Sequence, residues 1–482
     1  MNLFRCKPTA ESVKGEENPQ SLKRVLNGFH LILLGIGCIV GTGIFVLTGT
    51  AAAQHAGPAL AISFIISGVG CLAAGLCYAE FASMIPLSGS AYSYAYATIG
   101  EFLAWVIGWD LILEYLVGAA TVATGWSGYA VKLLEQIRFQ IPPELSHAPL
   151  SFEGQHLAFT GAVLNVPAVS VILLITCLLL LGIQESTLVN SIIVAVKLTV
   201  VIVFLICCFP HVKTSNWVPF VPPNTGHVGV FGWTGIFAAA GVIFYAYIGF
   251  DAVSCAAQEV VKPSRDIPIG ILGSLLVCTI LYVLVSLVLT GVVPYRELNV
   301  AAPVALAVER SGPTLAWLQP WIAIGAIGGL SSVILVLLLA QPRIFHRMAV
   351  DGLFPRAFAQ VHPKFRTPTT TTLLTGFCAA VLAGLLPIDV LSSMVSIGTL
   401  LAFTIVCISV VILRKTKPEL ERRFRTPWVP FIPVAGAIIC FGQMLFLPLA
   451  TWIRLLAWLL LGMAIYFGYG YKHSHLNRQH PS

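Results

Sequence analysis

Apolar runs of twenty residues or more recur along nearly the whole of this chain, and lipid leaves them little choice of structure. A bilayer offers the backbone no hydrogen bonds, so each run must satisfy its own N–H and C=O groups as a helix. About twelve such runs can be read, at 29–55, 59–85, 101–131, 163–184, 189–210, 231–261, 267–293, 317–345, 369–387, 391–413, 428–448 and 451–471. Charged residues make up 10% of the chain and hydrophobic ones 57%, whereas a soluble domain is charged at about a quarter of its positions. The expected fold class is an all-α integral membrane protein with about twelve transmembrane helices. The residues before 29 lack a short apolar stretch with a cleavage site, so no removable signal peptide is expected.

Orientation follows from the loop cations. With the N-terminus inside, the cytoplasmic side receives most of them, including Arg5, Lys23, Lys262, Arg265, Arg343, Arg347, Arg414, Lys415, Arg422 and Lys472. The outside receives Lys132, Arg138, Lys213, Arg296, Arg310 and Arg454. The net charge of +7 is thus a topology signal and does not call for nucleic acid. A multi-pass protein of the cell membrane with both termini cytoplasmic is expected. The cysteines other than Cys6 lie in apolar segments and form no C-x-x-C pair, which reads as packing rather than disulfide or metal chemistry. Neither a metal nor a cofactor is expected.

Two of the apolar runs are interrupted. The first carries Gly35-Ile36-Gly37 and Gly41-Thr42-Gly43, and the sixth carries Tyr247-Ile248-Gly249-Phe250-Asp251. Span order makes these the first helices of two oppositely inserted halves, 29–210 and 231–413, as an inverted repeat requires. Helices 11 and 12, at 428–471, lie outside that repeat beyond the basic loop 414–427, and would be an appendage. The segments 1–28 and 472–482 are expected to be cytoplasmic flanks, and no soluble domain is expected.

Broken helices at membrane depth survive only where protein, water or a ligand satisfies their backbone, and two of them at matching places in two halves point to a transporter's substrate site. Gly37 to Gly41 is also a G-x-x-x-G helix-packing motif, but the overlapping Gly41-Thr42-Gly43 favours a break. Gly43 would then open the outer half-helix, offering its amides and the Thr42 hydroxyl to a carboxylate. In the sixth span, Asp251 can cap a half-helix beginning at Ala252. The carbonyls of Tyr245, Ala246 and Ile248 are then acceptors for an ammonium group. A zwitterion fits both ends.

Lys197 sits near mid-depth of the fifth span, about 12 Å in at 1.5 Å per residue. One reading is a static pair with Glu114, Asp110 or Asp251. The favoured reading is a proton carrier, since a lysine taken out of water can release its proton near neutral pH. Its midplane neighbours should be the break in the first span and helix 8 near Ser331 and Ser332. Asp110 and Glu114 share one face of the third span and can serve a cationic side chain, relay a proton or balance Lys197. Trp105, Trp109 and Trp126 on that span read as packing or interface residues. Loop 86–100 is aromatic and without Lys or Arg, which places it at the membrane interface.

The stretch from Gly35 to Gly43-Ile44-Phe45 resembles the helix 1 signature of the amino acid–polyamine–organocation superfamily. Phe244 to Ser254, with Glu259 and Pro263-Ser264-Arg265-Asp266-Ile267-Pro268, resembles the helix 6–7 signature of its cationic amino acid transporter family. The likeness covers nearly the whole chain. It implies an LeuT-like 5+5 inverted repeat with broken helices 1 and 6 plus two extra helices, and an amino acid permease rather than an enzyme. It maps the substrate carboxylate onto Thr42 and Gly43. It maps the amino group onto carbonyls of Ile39, Tyr245, Ala246 and Ile248, and proton coupling onto Lys197. Tyr245 stands at the family's aromatic gate, as in animal members that carry arginine and lysine. Against that, Val336-Leu337-Leu338-Leu339 in helix 8 is an apolar wall that would leave a guanidinium unsatisfied. The expected substrate is a small neutral or apolar L-amino acid moved with protons. The alternatives are an Arg/Lys transporter or an amino acid/polyamine exchanger.

Overall fold

A computed structural model describes residues 26–84, 90–153, 156–181, 187–251, 253, 260–362, 367–420 and 422–476. The N-terminal segment to residue 25, the start of loop 86–100, Ala252, Ser254, Glu259 and the last residues of the tail lie outside them. The described chain is predominantly helical. Its helices are α1 (Gly28–Ile39), α2 (Leu60–Met84), α3 (Ser90–Thr98), α4 (Glu101–Ile112), α5 (Gly118–Gln136), α6 (Val166–Leu180) and α7 (Thr187–Cys208). They continue with α8 (Gly232–Ile243), α9 (Pro263–Val292), α10 (Leu318–Val350), α11 (Thr369–Leu385), α12 (Ile388–Thr416), α13 (Phe431–Leu445) and α14 (Leu449–Ile465). A small antiparallel pair, Leu150–Glu153 with His156–Phe159, departs from the expected all-α chain in the segment between α5 and α6.

Among the described residues, 7 helical stretches are long and apolar enough to cross a membrane. They are accompanied by shorter apolar helices at Gly28–Ile39, Val166–Leu180, Gly232–Tyr247, Thr369–Leu385 and Phe431–Leu445. Local chemistry sets several starts. Asn27 caps α1 by accepting from the His30 N–H at 3.0 Å, and Asn165 caps α6 from Ala168 at 3.2 Å. Prolines at the first turn begin α6, α9 and the short helix Pro303–Arg310. α9 packs along α2 and α1, α10 along α5 and α7, and α11 along α6.

Two expectations need correction. Gly35-Ile36-Gly37 is not a break, because α1 runs through it; Gly35 instead lets Ser274 of α9 approach, and a side chain there would strike it. Segment 86–100 is not a loop where described. It forms α3, whose Tyr92 and Tyr96 are buried and donate to Asp351 at 2.9 Å and to Glu101 at 3.3 Å. The last helix and the residues after it are tied into the core. Tyr466 donates to Glu101 at 3.0 Å, and Ser474 donates to the same carboxylate.

A buried ion-pair knot ties α2 to α12 and the loop after it. Glu80 accepts from Arg414 at 2.8 Å and from the Thr426 N–H at 2.7 Å, with Arg422 at 3.5 Å. Donors surrounding it in this way offset the cost of burying the charged Glu80 carboxylate.

Candidate functional site

α1 ends at Ile39, Val40 is extended, and the chain re-enters helix at Thr42. A wider π turn, Gly43–Leu47, follows. α8 tightens into a 3-10 turn, Phe244–Tyr247, then Ile248 extends and Gly249 takes φ 110, open only to glycine at little cost. Both interruptions therefore exist, the first at Val40–Gly41. They touch each other. A Cβ on Gly43 would collide with Ala246, so the absence of a side chain at 43 is what brings the broken segments together.

Around this junction lies a cavity of about 20 Å3, on the scale of one water molecule. Ile39, Gly41, Thr42, Gly43, Tyr245, Ile248 and Leu337 line it, beside Cys38, Tyr115, Val333 and Val336. The residues expected from the sequence to hold substrate thus converge, Ala246 entering through its contact with Gly43. The buried Thr42 hydroxyl has no hydrogen-bond partner among the described residues, which leaves it free to meet an anionic group. Val333, Val336 and Leu337 of α10 make one wall apolar.

The expected ammonium acceptors are partly engaged. The Tyr245 carbonyl accepts from the Ile248 N–H at 3.2 Å. Those of Ile39 and Ala246 both lie 2.8 Å from the Tyr282 hydroxyl of α9. One O–H has one proton, so it satisfies one carbonyl at a time and leaves the other available. Tyr282 was not singled out from sequence, where it stands among Ser274, Thr279, Ser286 and Thr290 as one hydroxyl of several in an apolar span. The Tyr245 hydroxyl donates to Gly118 O at 3.1 Å, bridging α8 to α5.

Lys197 is fully buried on α7. Its ammonium lies 2.6 Å from Gly37 O and 3.2 Å from Val40 O, carbonyls at the end of α1 where the helix stops supplying donors. Its stem runs against Gly329 of α10, where a side chain would press on it. The nearby hydroxyls are turned to their own helix. Ser331 donates to Ile327 O at 2.8 Å and accepts from Trp126, while Ser332 donates to Gly329 O at 2.9 Å.

Glu114 sits in a π turn, Leu113–Val117, between α4 and α5, with Asp110, Asp251 and Thr399 as its electrostatic neighbours. Asp251 accepts a hydrogen bond from Tyr115, and the half-helix start at Ala252 that it was expected to cap lies outside the described residues. Both Asp110 oxygens and one of Glu114 are buried without a hydrogen-bond partner among the described residues. Tyr115 lines the cavity, so this acidic group is linked to it through one side chain.

A family model described as amino acid permease matches residues 26–466. The chain is 47% identical over 477 residues to the methylthioribose transporter of Bacillus subtilis, covering 99% of this chain and 100% of that protein. It is 45% identical over 478 residues to the branched-chain amino acid permease BcaP of the same organism, covering 99% of each. The vacuolar cationic amino acid transporter 4 of Arabidopsis thaliana is 40% identical over 84% of this chain and 65% of its own length. A match of this extent settles the class: the chain belongs to the amino acid permease family of membrane transporters, and not to an enzyme family.

Proposed function

We propose that this protein is a proton-coupled symporter that imports small or branched apolar L-amino acids across the cell membrane. The observation that carries the reading is the Lys197 ammonium held on the Gly37 and Val40 carbonyls at the first break. Protonation of Lys197 fastens the inner half-helix to α7, and loss of the proton releases it, which ties proton binding to access. The substrate carboxylate meets Thr42 and the Gly43 end of the outer half-helix. Its ammonium takes the carbonyl that Tyr282 leaves free, with those of Tyr245 and Ile248 near by. Its side chain faces Leu337 and its neighbours. The fold that would support this is a 5+5 inverted repeat over 29–413 with helices 11 and 12 at 428–471 added, and both termini in the cytoplasm.

Supporting the apolar preference are the wall Val333, Val336 and Leu337 and the likeness to a branched-chain permease. A cationic substrate is the second reading, because both Asp110 oxygens and one of Glu114 are buried acceptors without hydrogen-bond partners among the described residues. A thermal-shift panel on detergent-purified protein separates them, since a ligand raises apparent stability with its occupancy. Valine, leucine, isoleucine and alanine should stabilise; arginine, lysine, methylthioribose and the amines matching each amino acid should not. Stabilisation by arginine alone would transfer the assignment to Glu114 and Asp110. Equal stabilisation by decarboxylated analogues would remove the carboxylate site.

A further inference from the structure

A second cavity, of about 650 Å3, lies on the side of the β pair and the short helix Pro303–Arg310, and Val46, Thr50, Thr124, Gly125, Lys132 and Asp389 contribute to its walls. It and the inner cavity are built on the same two segments, one turn apart. The segment after the first break gives Thr42 to the inner cavity and Val46 to the outer; α5 gives Val122 to the inner and Gly125 to the outer. The partition between them is therefore about one helical turn, roughly 5.4 Å. At Gly125 the two segments meet most closely on bare backbone of α5. A Cβ there would lie 2.8 Å from Thr42 Cγ2, 3.1 Å from Val46 Cγ2 and 3.3 Å from Thr42 Oγ1. Both facing side chains are β-branched and stiff at χ1, so they cannot swing aside cheaply. One turn further along α5, the Tyr129 hydroxyl donates to Phe45 O at 2.7 Å and holds the same two segments together.

We infer that this seam is the outer door of the transport path, and that Gly125 is the residue whose missing side chain lets it shut. Substrate waiting in the outer cavity enters when the segment from Thr42 to Ala56 leaves α5, breaking the Tyr129–Phe45 contact. The door closes only if Thr42 and Val46 can return onto bare backbone. A side chain at 125 acts as a wedge and strands the protein open to the outside. The identity of the door residue rests on the transport reading above, but its test does not depend on which solute is carried.

Cys38 lines the inner cavity and is in no disulfide, which makes it a reporter placed behind the door. The probe is a membrane-impermeant methanethiosulfonate added to sealed right-side-out vesicles, with Cys38 modification read by peptide mass spectrometry and Cys38→Ser as blank. Gly125→Val should label about tenfold faster than wild type, the rate equivalent of a modest overpacking penalty on the closed state, and should lose uptake and exchange. Gly125→Ala should fall between them. Tyr129→Phe, which adds no volume, should also speed labelling. Unchanged Cys38 labelling in folded Gly125→Val and Tyr129→Phe protein would overturn the assignment. Faster labelling in these variants, with no effect of any amino acid on wild-type labelling, would keep the door and discard the amino acid as cargo.

Discussion

Trp109 and Trp458 stack with ring centroids 4.5 Å apart, and each gives its indole N–H to the other's backbone carbonyl, at 2.8 and 3.3 Å. The exchange bolts α14 to α4, the helix that carries Asp110. Trp105 adds a third bond, to Gly462 O at 3.1 Å. Trp458→Ala should cost about 3 kcal/mol or more of stability, as deletion of a packed aromatic does. Trp458→Phe keeps the stack and should cost nearer 1 kcal/mol for the lost hydrogen bond. Thermal unfolding in detergent checks the order; equal melting of both variants with wild type would show that the last helix contributes nothing to the core.

Lys197→Met keeps the length of the side chain but carries neither charge nor proton. Accumulation driven by a pH gradient in proteoliposomes should vanish. Substrate binding should persist in the thermal-shift assay, because Lys197 contacts the Gly37 and Val40 carbonyls and is assigned no contact with the amino acid. Wild-type accumulation by the Met variant would leave Lys197 a structural strut.

Leu337 sets the size and polarity of one cavity wall. Leu337→Ser should admit longer and more polar side chains and move selectivity between leucine and a polar amino acid by about tenfold or more, the scale of such pocket contacts. Competition in an uptake assay reads this directly. An unchanged ranking would mean that the side chain points elsewhere.

Tyr282→Phe removes the one proton shared by the Ile39 and Ala246 carbonyls. The ligand-free protein should lose about 1 to 2 kcal/mol, since buried acceptors are left unmade. The stabilisation gained on adding substrate should grow, because its ammonium then answers both. A smaller ligand-induced shift than in wild type would show that Tyr282 helps to bind the substrate and does not compete with it.

Features that violate the rules of a lipid environment were readable in advance. Lys197 is visible because a charge at mid-depth needs a reason, and the breaks are visible because glycines weaken a helix that has no water to fall back on. Glycine marks weakness, however, without marking location. Gly35 serves close packing on Ser274, and the chain actually departs from helix at Val40, a residue with no such signature. Tyr115 and Tyr282 were missed for a related reason: a tyrosine in an apolar run looks like core until its hydroxyl's partner is known. Likewise, nothing along the sequence reveals that Trp109 and Trp458 meet, since they are 349 positions apart.

The contact between Gly43 and Ala246 has a consequence for how such a molecule can change. Any side chain at 43 strikes the backbone of residue 246 as well as its methyl, so no exchange at 246 makes room for one, and position 43 is locked to glycine as long as the two segments touch at this joint. Leu337, Val333 and Val336 stand on an unbroken helix across the cavity and can be exchanged without disturbing that joint. If the cavity holds the cargo as proposed, single exchanges in α10 can change what fits it while the joint between the two broken segments stays as it is.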